Sequence, residues 1–106
     1  MSRRVALAGV ALSDVGRVDD KTPFELIAQS SRRAIADAGL SKDDIDGVGS
    51  TALGALAPVD ICEYMGLQPR WMDSTAVGGA AWEVMAAHAV DAIAEGRADV
   101  ILLTYG

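Results

Sequence analysis

Short unbroken apolar runs alternate along this chain with longer stretches of helical spacing. Val5 to Val10 is one such run, and Ala98 to Tyr105 is another, with Val100, Ile101, Leu102 and Leu103 unrelieved by any polar residue. Both are too short for helices and read as strands buried on both faces of a parallel sheet. After a polar loop from Ala11 to Asp20, Phe24, Ile27, Ala28, Ala34, Ile35 and Ala38 recur at helical spacing. Thr22 stands as N-cap, Pro23 as the first helical residue, Glu25 closes a capping box and Gly39 stops the helix. Ser41 to Asp44 is a turn, and Ile45 to Leu53 a second strand that runs into a Gly/Ala loop, Gly54 to Ala57. Pro58 to Met65 reads as a short helix ended by Gly66. Gln68-Pro69 breaks the chain before a third strand starting at Arg70-Trp71-Met72. From Ala80 to Glu95 the pattern is helical again, closed by Gly96.

That last helix carries little polar surface. His88, Asp91 and Glu95 form one narrow stripe with Glu83 to one side, and the rest is Ala with Trp82, Val84, Met85, Val90 and Ile93. The pattern predicts a buried central helix. The order βαβαβαβ predicts an α/β fold with a mainly parallel sheet. The helix opens just after a strand, through Val77-Gly78-Gly79-Ala80, where α/β proteins place anionic ligands or chemistry. These four residues are the candidate substrate-binding, oxyanion-type site, with backbone N–H groups as donors. The competing reading is a turn that needs glycine for tight packing.

Composition narrows the function. With 51% apolar residues and 23% charged ones, the chain is not of disordered type. The net charge of −6 and the scattered basic residues disfavour nucleic acid as a partner. No run reaches the length of a membrane span. Arg3-Arg4 followed by Val5 to Leu12 mimics a short signal peptide, but a first strand explains the same residues. The one cysteine, Cys62, permits no intrachain disulfide and makes a cytoplasmic setting the default. As a nucleophile it is disfavoured, because Asp60 and Glu63 beside it would raise its pKa. His88 has Asp91 one turn along the helix, a pair that is more often solvated than catalytic. One histidine and one cysteine complete no zinc site, so no metal is expected. Gly47, Gly49 and Gly54 do not have the dinucleotide spacing. Arg32 and Arg33 sit near a helix C-terminus, where cations are favoured without any phosphate. Thr104, Tyr105, Trp71 and Trp82 are read as packing or interface residues.

Several strings together carry a family resemblance. Asp73-Ser74-Thr75, Val77-Gly78-Gly79-Ala80, Trp82-Glu83, Gly96-Arg97-Ala98-Asp99 and Thr104-Tyr105-Gly106 resemble the thiolase superfamily. Within it they resemble the sterol-carrier-protein-type thiolases and related lipid-transfer proteins. Ala36-Asp37-Ala38-Gly39-Leu40 and Ile45-Asp46-Gly47-Val48 match the same family upstream, although strings like the former also occur in ketoacyl synthases of the same fold. The resemblance implies a three-layer α/β fold, with residues 1–106 corresponding to the N-terminal portion of the first of two similar halves.

The resemblance also implies an acyl-CoA substrate, held as its coenzyme A thioester, and an acyltransferase-type fold. In catalytic thiolases a nucleophilic cysteine begins the buried helix. Here that position falls on Gly79, or on Gly78 if the turn differs by one residue, so thiolytic transfer through this helix is excluded and no catalytic residue is assigned. The full-length protein would then be a carbon–carbon lyase or other acyl-CoA enzyme of lipid or steroid breakdown, with acid–base residues beyond Gly106. Its rivals are a non-catalytic acyl-CoA or lipid-binding module and a structural subunit completing a partner's site. The chain alone is expected to be inactive. The resemblance further implies a homodimer through Arg70 to Ala76, and a small acyl-CoA-binding protein as a possible partner.

Overall fold

Thr22 starts the first helix as its sequence context predicts. In the computed structural model, which describes residues 4–51, 57–75 and 78–105, helix α1 spans Pro23–Asp37. Glu25 N–H donates to Thr22 Oγ1 at 3.1 Å, and Thr22 N–H reaches back to Glu25 Oε1 at 3.5 Å. That reciprocal pair satisfies two donors that the helix itself cannot. Two further helices, α2 (Ala57–Met65) and α3 (Ala81–Ala94), follow. Gly39, Gly66 and Gly96 lie just beyond the three helices at φ of 73°, 71° and 78°, a left-handed conformation that a Cβ disfavours.

Between the helices run three short strands, β1 (Gly47–Gly49), β2 (Trp71–Asp73) and β3 (Ile101–Leu103). They form one parallel sheet in the order β2-β1-β3, with Val48 opposite both Met72 and Leu102. Alternation along β1 sorts the two faces. Val48 turns into the core with Ile35, Ile45, Cys62, Leu67 and Leu102, on the side of α1 and α2. Gly49 turns the other way, where a Cβ would come within 3.4 Å of Met85 Sδ on α3 and 2.7 Å of Leu103 Cδ2. A Cβ on Gly47 would fall 2.7 Å from Ile101 Cγ1. The glycines of this strand are therefore packing positions, which let neighbouring side chains close over β1.

The structure departs from the predicted pattern in three places. The run Val5 to Val10 is not a strand. It lies beside α1 with Val10 N–H donating to Asp37 Oδ2 at 2.9 Å, and Leu7 and Val10 remain 85% and 62% exposed. Without a neighbouring strand its backbone has no ladder to join, so the predicted four strands are three among the described residues. The helix from Ala80 to Glu95 is covered on one face only: Ala81, Met85, Ala89 and Ala92 are buried, while Ala86, Ala87 and Val90 face outward. An apolar sequence all round is thus not matched by cover all round within this chain. The Ile45–Leu53 and Ala98–Tyr105 strands shrink to three residues each, because backbone pairing is limited to the stretch where all three strands overlap. Residues 52–56, which hold the end of the first of these predicted strands and most of the predicted loop, lie outside the described residues.

Asp46 holds the amino end of this sheet together. Its Oδ1 accepts from Val100 N–H at 2.8 Å and Asp99 N–H at 2.9 Å, and its Oδ2 accepts from Arg70 Nη2 at 2.8 Å. Its backbone carbonyl takes the N–H groups of Arg70 and Trp71, so one residue gathers the starts of β2 and β3 around β1. Burial by itself would raise this carboxyl; the N–H of Val100, the Arg70 guanidinium and the N–H of Asp99 outweigh it and hold it below the usual carboxylate value. A group whose folded pKa is depressed stabilises above its unfolded pKa and loses that contribution as pH falls through the folded value. Asp46→Ala is expected to lower unfolding free energy by about 2 kcal/mol at neutral pH. In urea titrations the gap from the unmutated chain should close as pH drops below about 4, near the unfolded aspartate value. A gap that persists unchanged in acid would show that the carboxylate charge is not what ties the strands.

Candidate functional site

Because the three strands are parallel, their carboxyl ends share one edge, and each is followed there by hydroxyl residues: Ser50-Thr51, Ser74-Thr75 and Thr104-Tyr105. Open parallel sheets bind ligands at this edge. Its supporting layer is built on Thr104. The Thr104 carbonyl accepts from Ser50 Oγ at 2.8 Å and from Trp82 Nε1 at 3.2 Å, and Thr104 Oγ1 accepts from Ser31 Oγ at 2.9 Å. Thr104 N–H donates to Gly49 O. One residue thereby links α1, β1, α3 and β3. Ser31, Ser50, Thr51 and Thr104 are all buried. Among the described residues, no fully buried side-chain polar atom lacks a partner, and the hydroxyls of Ser31, Ser50 and Thr104 are engaged within the fold. Tyr105 stacks edge-on against Trp82 with ring centroids 4.5 Å apart.

Above this layer sits the turn into α3. Val77 lies outside the described residues; Gly78, Gly79 and Ala80 form a 3₁₀ turn and are exposed. Gly78 has φ 76°, so its glycine is required by conformation. Gly79 is different. Its φ is ordinary and a Cβ there would meet no atom within 4 Å among the described residues, so neither packing nor strain demands glycine. Against the described residues, then, the turn needs glycine at position 78 and no packing contact demands it at position 79. Ala80 precedes α3 without a side-chain cap, leaving the helix's first N–H groups to other partners.

The remaining candidates separate. His88 does not pair with Asp91 as their spacing suggests. Its Nδ1 lies 2.7 Å from Asp73 Oδ2, joining α3 to the end of β2 beside a shallow hollow that Asp91 and Arg97 also line. Tertiary approach of strand to helix decided that partner. Arg33, near the C-terminal end of α1, donates from Nη1 to Leu12 O at 2.9 Å and pairs with Asp14, holding the N-terminal segment. Asp14 accepts from Gln29, Lys21 and Arg33, which bring its carboxyl down to about 2. Among the described residues, no three His, Cys, Asp or Glu side chains gather as a metal site, and no helix is long and apolar enough to cross a membrane. Ser31 on α1 and Ser50 were missed in the sequence; for Ser50 the signal available was a serine or threonine after each strand.

Comparison with known proteins places the fold. The chain is 27% identical over 103 residues to the 17-hydroxy-3-oxo-4-pregnene-20-carboxyl-CoA lyase of Mycobacterium tuberculosis, covering 96% of this chain and 27% of that protein. It superimposes on the Ltp2-ChsH2(DUF35) aldolase with a TM-score of 0.83 at 24% identity, over 92% of this chain and 26% of the other. On a monomeric SCP2-thiolase-like protein type 1 from Mycobacterium smegmatis the TM-score is 0.72 at 23% identity, over 91% of this chain and 22% of the other. The chain thus folds like part of these thiolase-like proteins, and spans about a quarter of their length. No family model matches it.

With glycine at the turn, Cys62 is the only thiol, and it is buried in the core on the inner face of α2, where burial pushes its pKa up. A disulfide thiol reagent at neutral pH should therefore modify it no faster than the chain unfolds. Labelling of the native protein at the rate of a free thiol would reopen Cys62 as a reactive group.

Proposed function

We propose that this chain is the N-terminal part of a thiolase-like, acyl-CoA-handling protein of lipid or steroid breakdown, and that its three-layer fold is completed by further sequence. The observation that carries the reading is the open turn at Gly78–Ala80: it starts α3 uncapped, at the carboxyl edge of the sheet, with free space in front of Gly79. Val77 and the three turn residues would hold the thioester oxygen of an acyl-CoA by their N–H groups, with the positive end of the α3 dipole behind them. A glycine at this point offers no nucleophile, so covalent transfer of the acyl group does not run here. Carbon–carbon cleavage needs none. When a base removes the proton of a β-hydroxyl and the Cα–Cβ bond breaks, the electron pair moves into the thioester and negative charge grows on its oxygen. Donors in the turn would stabilise that charge, while the acid–base groups come from outside this chain. The names of the lyase and aldolase relatives support this reaction class.

A second reading has its own support. The hydroxyls of Ser50 and Thr104, at two of the strand ends, are engaged in structural hydrogen bonds, and the only cysteine is in the core, which suits a non-catalytic acyl-CoA-binding or structural subunit. Both readings exclude thiolysis by this chain. Alone, the chain should not thiolyse acetoacetyl-CoA, and Gly79→Cys should not confer it.

The site itself is tested by Gly79→Val. Because a side chain is sterically free there, the melting midpoint should hardly move, whereas affinity for an acyl-CoA should fall about tenfold, a loss of about 1.4 kcal/mol. The measurement is calorimetric titration of a longer protein carrying this segment with propionyl-CoA. Unchanged affinity with unchanged melting would remove the turn from the site.

A further proposal concerns association. β2 is an outer strand of the sheet, its inner bonds to β1 use Trp71 and Asp73, and Met72 is 47% exposed. Arg70 to Thr75, with Ala76 outside the described residues, offers an unprotected edge to a second copy. Met72→Asp is expected to shift a sedimenting dimer to monomer. An unmutated chain that remains monomeric at high concentration would leave this edge without that role.

A further inference from the structure

Helix α3 begins without the device that usually fixes a helix start. Ala80 caps it with no side-chain bond, and Gly78 brings the chain in at φ 76°. The side chains of the first turn must then set where the helix start stands over the sheet. Ala81 is buried but has nothing to donate, Glu83 is exposed and Val84 is aliphatic. Trp82 carries an N–H, and its Nε1 donates to Thr104 O at 3.2 Å. Tyr105 closes edge-on against the same indole, with ring centroids 4.5 Å apart.

The end of β3 does not need that bond. Thr104 O also accepts from Ser50 Oγ at 2.8 Å, Thr104 N–H donates to Gly49 O at 3.1 Å, and Thr104 Oγ1 accepts from Ser31 Oγ. A carbonyl oxygen has two lone pairs, so removing the indole N–H leaves this one still satisfied by the serine. The rest of α3 is held by other means. Met85, Ala89 and Ala92 are buried, and His88 Nδ1 lies 2.7 Å from Asp73 Oδ2 at the end of β2. What depends on Trp82 is the stretch from Gly78 to the first helical turn. Apolar contact at Ala81 is non-directional and lets that stretch slide, whereas a hydrogen bond fixes distance and angle.

We infer that Trp82 is a positioning residue: its indole, bound to the Thr104 carbonyl, sets the place and tilt of the Gly78–Ala80 turn over the carboxyl edge of β3. The indole thus does from inside the helix what a capping side chain does from outside it. The donors of this turn are backbone N–H groups, which cannot be re-aimed by rotating a side chain. Their direction is the direction of the backbone, and hydrogen bonds weaken steeply as they bend. The consequence for binding rests on the turn being the thioester-oxygen site proposed above.

Two replacements test this. The sulfur isostere β-(3-benzothienyl)alanine at position 82 keeps the bicyclic ring and deletes the N–H, and Trp82→Phe is its genetic counterpart. In the longer protein carrying this segment, labelled at its glycine nitrogens, the amide signals of Gly78 and Gly79 should move in both variants. Those of Gly47 and Gly49 in β1 should stay, and the melting midpoint of the isostere should hardly change. Affinity for propionyl-CoA should fall about fivefold, the size of one neutral hydrogen bond. Combined with Gly79→Val, either replacement should lose little beyond Gly79→Val alone, because both act on one site. Unmoved signals of Gly78 and Gly79 in the isostere would overturn the inference. So would unchanged affinity where Gly79→Val lowers it, or losses that simply multiply in the double variant. If Gly79→Val leaves affinity intact, the reading of the turn as the binding site falls instead, and the glycine signals alone decide on Trp82.

Discussion

A single carboxylate at the mouth of β1 makes the sheet possible. Three-residue strands supply few ladder bonds, and at the amino end the backbone would splay without a common anchor. Asp46 provides it, since its two oxygens take the N–H groups leading into β3 and the guanidinium leading into β2, while its own peptide group binds both neighbours. The carboxyl end is closed by a different device, the Thr104 cluster, made of neutral hydroxyls and one indole. Charge serves at the wetter end and neutral hydrogen bonds at the buried end, in keeping with the cost of desolvating an ion.

The division has a functional consequence. Ser31, Ser50, Thr104 and Trp82 beneath the carboxyl edge are engaged with one another, which ties the edge together. What remains open above it is backbone: the glycine turn and the uncapped start of α3. A site made of N–H donors on a rigid floor suits stabilisation of developing charge on an oxygen better than nucleophilic attack.

The apolar surfaces left bare belong to the same picture. Residues 5–15, the outward face of α3 and the edge of β2 all expose side chains that a sheet protein normally covers. Each borders a feature that can accept more backbone or another helix. The chain occupies about a quarter of its relatives' length.

Much of this was legible in the residues. The capping box at Thr22 and Glu25, the glycines beyond each helix and the apolar run around Leu102 depend on interactions within a few positions, which local sequence specifies directly. The turn at Gly78-Gly79 was legible for the same reason. Other features required the fold. Asp46 is one aspartate among many until Asp99 and Arg70 are brought to it from more than twenty residues away. His88 has an acidic neighbour on its own helix, yet its partner is Asp73 from another element. Gly47 and Gly49 lie in a predicted strand with no visible packing role until Ile101, Leu103 and Met85 close over them. Val5 to Val10 has the composition of a strand, but a strand exists only by pairing, and composition cannot supply the neighbour. Local propensity sets what each segment can become; long-range hydrogen bonding and packing decide which of those possibilities is realised.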